Sequence, residues 1–248
     1  MSFDKIIAVR TDKTVYRDGD RCLKVFGEEY SKSDVLVEAL NQARVEEAGL
    51  DVPEILGVTV TDGKWTIISK YIKGKTLERL ALENPEKKDE YIAKLVDVQL
   101  EMQSKSCPKL RKLRDRLIEK INAADIPATA RYSIIARLAE LPTHNKICHG
   151  GFTLSNVILG DDGKTYVLDW IHATRGNASA DAAFTYFRFG MKGSPEDAEK
   201  YLDLFCEKSG TDKQYVRKWM PVIAAAQSVN GNAREREFLL PFIREINK

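Results

Sequence analysis

The apolar periodicity of this chain changes from two residues to 3.6 near position 75, and that switch restricts it to an α+β architecture, sheet-rich first and helical afterwards. Lys5–Arg10, Thr14–Arg17 and Arg21–Phe26 read as short strands, with Asp18-Gly19-Asp20 as a hairpin turn. Ser31 to Ser33 offer N-caps for a helix to about Ala48. Val35, Leu36, Ala39, Leu40 and Ala43 form its expected apolar stripe, and Gly49 stops it. Ile55–Thr61 turns at Asp62-Gly63 into Trp65–Ile72, completing a five-stranded antiparallel sheet with one helix after the third strand. Helices are predicted over Thr76–Leu82, Glu86–Lys105, Lys109–Ala123, Ala128–Glu140, Ser179–Arg188, Pro195–Lys208, Asp212–Val229 and Ala233–Ile246. Lys146–His172 interrupts them with a hairpin, Asn156–Leu159 and Thr165–Leu168 around Gly160–Gly163. A lone hairpin among helices is a rigid support on which chemistry can be held. The expected division is bilobal: an N-lobe of residues 1–72 and a C-lobe of 73–248 that carries the hairpin 146–172.

Composition narrows the function classes. With 39 Lys+Arg against 37 Asp+Glu, the net charge of +2 provides no basic field for a nucleic acid. A chain of 248 residues hides roughly 70–75% of its unfolded surface, so its core needs no disulfide or metal. No apolar run approaches the ~18–20 residues that cross a bilayer, and the opening MSFDKIIAVRTDK is too poor in apolar residues for a signal segment. Cys22, Cys107, Cys148 and Cys206 form no CxxC pair and read as plain thiols. A reducing cytoplasm is the expected compartment, with no membrane or nucleic-acid partner.

Four residues carry the chemistry. Alternation along Cys22-Leu23-Lys24-Val25-Phe26 turns Lys24 away from Leu23 and Val25, and Glu38 stands fourteen positions later inside the helix. A strand lysine paired with a helix glutamate fixes ATP phosphates in kinases. The stretch His149-Gly150-Gly151-Phe152-Thr153-Leu154-Ser155-Asn156 has the catalytic-loop spacing of kinases, with glycine at the aspartate position. Asp169, in Val167-Leu168-Asp169-Trp170, ends the second hairpin strand. Two oxygen donors on the two arms of a hairpin suit Mg²⁺, which shares its shell with substrate phosphates.

In this order the residues resemble the aminoglycoside phosphotransferase and choline kinase family, small-molecule kinases with a protein-kinase-like fold. Trp65 to Leu77 looks like the family's hinge strand leading into "x-G-x-T-L", and Val52-Pro53-Glu54-Ile55-Leu56 looks like its "V-P-x-[IV]-L" step. The resemblance implies ATP and Mg²⁺ as cofactors in the cleft between the lobes, and a small-molecule hydroxyl as acceptor. Lys24 would contact the α- and β-phosphates, Glu38 would hold that lysine, and Asn156 and Asp169 would bind the metal. Backbone groups of Ser69 to Tyr71 would meet the adenine edge between Ile7, Val9, Val25 and Ile158. His149 is implied to shape the loop, and Asp181 to brace it.

Two departures accompany the resemblance. Gly151 stands where the catalytic aspartate belongs, and Thr153-Leu154 replaces the usual His-Pro or Asn-Pro. Arg10-Thr11-Asp12-Lys13-Thr14 contains no glycine, leaving Thr11, Lys13 and Thr14 as candidate phosphate contacts. Both a slowed phosphotransferase and an ATP-binding pseudokinase fit this pattern. The C-terminal segment Ala233–Lys248 mixes both charges and provides no acidic field to indicate an acceptor.

Overall fold

The structure, a computed structural model, describes residues 5–9, 12–229 and 231–245; Arg10, Thr11 and Ile246 of the expected elements fall outside them. The chain forms two compact units, one of Met1–Asn84 with Ser155–His172, the other of Pro85–Leu154 with Ala173–Lys248. The hairpin therefore belongs with the sheet rather than the helices, and the first crossing falls at residue 84 rather than 72. The reason is a short strand at Gly74–Thr76 that pairs with the hairpin's first arm, Gly74 opposite Gly160 and Thr76 opposite Ile158.

In the first unit β1 (Lys5–Val9), β2 (Lys13–Asp18), β3 (Arg21–Phe26), β4 (Ile55–Thr61) and β5 (Lys64–Lys70) form one antiparallel sheet in the order β1-β2-β3-β5-β4. Asp62 (φ 49°) and Gly63 (φ 79°) supply the two left-handed residues that a tight β4–β5 turn needs. Helix α1 (Lys32–Glu47) starts on a capping box between Ser31 and Asp34. Its buried face packs Val35 and Ala39 against Phe26 and Ile67 of the sheet. That face differs from the expected stripe. Leu36 and Leu40 are exposed, while Glu38, Asn41 and Gln42 are buried.

β6 (Gly74–Thr76), β8 (Val157–Gly160) and β9 (Thr165–Val167) make a small second sheet, and α2 (Leu77–Glu83) follows on Thr76 as N-cap. At Gly74 (φ 151°) a β-carbon would run into the carbonyl oxygen of Leu159, so this close strand approach requires glycine.

The second unit holds α3 (Lys88–Ser104), α4 (Leu113–Ala123), α5 (Ala128–Glu140), α6 (Ala178–Met191), α7 (Pro195–Ser209), α8 (Lys213–Arg217), α9 (Met220–Ser228) and α10 (Ala233–Arg244). A strand pair joins them, β7 (Lys146–Cys148) with β10 (Thr174–Gly176). The expected helix over 212–229 is two helices, because Pro221 has no N–H to continue the ladder and sits instead in the first turn of α9. Met220 to Ala226 are buried all round, which makes α9 the central helix. The expected helix from Lys109 starts at Leu113, since Lys112 bridges to Arg175 instead. No described helix is long and apolar enough to cross a membrane.

Candidate active site

The first unit gathers the residues expected at the phosphates. Val15 lies opposite Lys24 in the β2–β3 ladder, so Lys13, two residues before Val15, shares the face of Lys24. Lys24 Nζ donates to Glu38 Oε1 on α1 and to Asp169 Oδ1 at 2.8 Å. Lys13 Nζ donates to the same Asp169 oxygen at 2.9 Å. Glu38 is 1% exposed, and its Oε2 is buried without a hydrogen-bond partner among the described residues. Two ammoniums and two carboxylates thus form a neutral, largely buried quartet.

The electrostatics follow from this packing. Burial opposes the Lys24 charge, but the carboxylates of Asp169 and Glu38 outweigh it and hold the ammonium above its ordinary pKa of 10.5. Burial likewise opposes the Asp169 charge, and Lys24 and Lys13 together hold its carboxyl well below 3.8. Asp169 also adopts a left-handed backbone (φ 72°), uncommon for a residue with a side chain. Its neighbour Trp170 is anchored by packing and by two hydrogen bonds. The Trp170 indole is fully buried, its Nε1 donates to Val167 O at 3.0 Å, and its own carbonyl accepts from Asn41 Nδ2 at 3.1 Å.

Asn156 lies beside this aspartate because Leu168 N donates to Asn156 O at 2.8 Å and Asn156 Nδ2 donates to Leu168 O. A carboxylate and an amide oxygen on adjacent arms fit Mg²⁺, a hard cation completed by phosphate oxygens and water. Among the described residues no group of three or more His, Cys, Asp or Glu forms a metal cage.

Lys13, Lys24, Glu38, Asn156 and Asp169 line a cavity of about 400 Å³ in this unit, together with Ser69, Tyr71 and Ile158. Small-ligand sites run from roughly 300 to 1,000 Å³. Its apolar walls are Ile7, Val15, Ile67 and Ile158. Val25 is not among them, since strand alternation points it away from Lys24, and Val9 is 71% exposed. The Tyr71 N–H, expected at the adenine edge, donates to Asp20 O at 2.8 Å, which leaves Tyr71 its carbonyl and ring to offer.

The expected catalytic loop lies in the second unit. His149 is 1% exposed, and its ring lies 5.3 Å from that of Phe152. Gly150 takes a left-handed φ of 76° and its N–H donates to Asp181 Oδ1 at 2.8 Å. Asp181, on α6, is wholly buried and also accepts from Gln99 Nε2 at 3.0 Å and Gln103 Nε2 at 3.4 Å. Sequence reading missed these two glutamines, although their i, i+4 spacing within the apolar face of α3 was the available signal. Gly151 presents no side chain, and the loop around it contains no carboxylate to replace the missing one.

A strand lysine held by a helix glutamate, followed by a hairpin asparagine and a strand-end aspartate, defines a protein of the kinase-like phosphotransferase class. The chain belongs to the phosphotransferase enzyme family, whose model matches residues 7–219. It is similar in structure to a choline/ethanolamine kinase family protein from Mesorhizobium loti (TM-score 0.62, 15% identity, covering 98% of this chain and 86% of that one). It is also similar to a thermostable mutant of aminoglycoside phosphotransferase APH(4)-Ia in a ternary complex with ADP and hygromycin B (TM-score 0.70, 16% identity, 98% and 92%). Choline kinase LicA from Streptococcus pneumoniae aligns with a TM-score of 0.66 at 13% identity over 100% and 93%. No curated protein matches the chain.

Proposed function

We propose that this chain is an ATP-dependent phosphotransferase that moves the γ-phosphoryl group to a hydroxyl of a small molecule. The observation that carries the reading is the convergence of Lys24, Glu38 and Asp169 in one cavity of the first unit. In this reading Lys24 holds the α- and β-phosphates and Glu38 keeps its ammonium in place. Asn156 and Asp169 hold Mg²⁺, which when bound neutralises charge on the transferring group. The Tyr71 carbonyl and the apolar walls accept the adenine, since the Ser69 backbone is paired within the sheet. That a relative of similar fold was solved with ADP supports nucleotide use.

The hydroxyl oxygen bonds to the γ-phosphorus as the bond from that phosphorus to the ADP oxygen breaks. The hydroxyl proton passes to solvent or to a phosphate oxygen, because Gly151 offers no base. Loss of a general base costs about 10²–10⁴-fold. From a kinase turnover of about 1–100 s⁻¹ this leaves roughly 10⁻⁴ to 1 s⁻¹. Phosphoryl transfer depends chiefly on positioning and charge neutralisation, so activity survives in reduced form. The absent base also favours a second reading, an ATP-binding pseudokinase that acts as a regulatory module.

Transfer of radiolabelled γ-phosphate to a panel of small alcohols, amino alcohols and aminoglycosides separates the two. Slow transfer that disappears in Asn156→Ala and Asp169→Ala supports the enzyme. ATP binding without transfer to any acceptor or to water supports the pseudokinase, and absence of ATP binding removes both.

A further inference from the structure

Lys13 is a buried ionisable group in the cavity that this mechanism leaves without a task. Its side chain is 8% exposed, and its Nζ lies 2.9 Å from the Asp169 oxygen that Lys24 also contacts at 2.8 Å. The two ammoniums are therefore at most about 5.7 Å apart, the sum of those two distances. Two cations this close repel each other, and the single oxygen between them satisfies neither fully. Glu38 takes up Lys24, while Asp169 is the only carboxylate paired with Lys13 among the described residues. An incoming polyanion would relieve this crowding. Lys13 also opens β2, and the Arg10-Thr11-Asp12 stretch before it contains no glycine of the kind that the phosphate-covering loop of protein kinases carries.

We infer that Lys13 is a second triphosphate-binding lysine, shared between Asp169 and the β- and γ-phosphate oxygens of the nucleotide. The inference rests on the nucleotide-site reading above and adds a residue to it. Lys13 supplies from a strand side chain the phosphate donor that a glycine-rich turn supplies from its backbone. In the same role it frees Asp169 for a divalent cation once the phosphates take its ammonium.

The test is calorimetric titration of the full chain with ATP, ADP and AMP, each with Mg²⁺ and with a chelator. A charge-assisted contact to phosphate predicts that Lys13→Gln weakens ATP by about 10–100-fold. AMP, which lacks the β- and γ-phosphates, should change by less than about threefold, and this also reports that the variant is folded. Lys13→Arg should keep ATP within about fivefold of native, because it preserves the charge. An unchanged ATP-to-AMP ratio in Lys13→Gln, or an equal loss for both nucleotides, would overturn the inference and leave Lys13 a counter-ion of Asp169. Failure of the native chain to bind ATP at all would instead remove the nucleotide site itself.

Discussion

The backbone N–H of Gly150 donates to Asp181 Oδ1 at 2.8 Å, so a residue of α6 sets the course of a loop 31 positions earlier in the chain. The same carboxylate accepts from Gln99 and Gln103. Truncation removes the acceptor of three buried donors, one of which, Gln99 Nε2, also reaches Thr185 Oγ1, and each donor left stranded costs about 1–3 kcal/mol. Asp181→Ala should lose about 2–4 kcal/mol in urea unfolding, and Asp181→Asn, which retains an acceptor oxygen, should lose less. Equal losses in the two variants would show that the bond to Gly150 does not hold the loop.

Nucleotide should stabilise the chain by mass action. At 100 times its Kd a ligand contributes about 2.7 kcal/mol. At roughly 2–4 °C per kcal/mol for a chain of this length, millimolar ATP with Mg²⁺ should raise Tm by about 5–10 °C. Asp169→Ala should abolish the part of the rise that depends on Mg²⁺. A thermal scan without any shift would remove the nucleotide site and both readings built on it.

Acid stability should report the lysines around Asp169. Burial acts against this carboxylate, but Lys24 and Lys13 hold its folded pKa well below 3.8. Its contribution to stability is therefore complete above about pH 4 and declines as pH falls towards the folded pKa. Asn tolerates a left-handed backbone, so Asp169→Asn keeps the conformation and removes the charge. The stability difference between native and variant should be constant from pH 5 to 7 and shrink below pH 4. Urea unfolding at each pH checks this; a difference equally large at pH 3 would mean that the carboxylate charge is not what stabilises the quartet.

Restoring a carboxylate at the loop should restore base catalysis. The left-handed φ belongs to Gly150, and Gly151 is not among the glycines with that conformation, so an aspartate at 151 meets no such backbone penalty. Gly151→Asp should raise transfer or slow ATP hydrolysis by tens-fold or more. Added Asn156→Ala should abolish the gain. A folded Gly151→Asp variant that binds ATP and remains inert would favour the pseudokinase.

Much of this site is legible without coordinates. Lys24, Glu38, Asn156 and Asp169 stand in the order that the family resemblance expects, and all four line one cavity. The five-stranded sheet is legible too, because strand alternation and the Asp-Gly turn are local signals. Helix α1 shows where such reading fails. Counting apolar residues turns Leu36 and Leu40 inward, yet they are exposed. The inner face is set by polar partners from elsewhere: Lys24 for Glu38, the Trp170 carbonyl for Asn41 and the Pro53 carbonyl for Gln42. Strands β6, β7 and β10 have three residues each, too few to display a period.

The sequence by itself determined the fold class and the family, and it pointed to Lys24, Glu38, Asn156 and Asp169, which line one cavity, because each of these readings depends on residue type and local spacing. Only the tertiary structure decided that Lys13 and Lys24 share one oxygen of Asp169 and that the hairpin joins the sheet-bearing unit. Lys13 and Asp169 stand 156 positions apart, a separation across which no periodicity runs. Their meeting depends on strand register, on the pairing of β6 with β8 and on a strained backbone at Asp169. Those are properties of packing between elements, and no single element's sequence contains them.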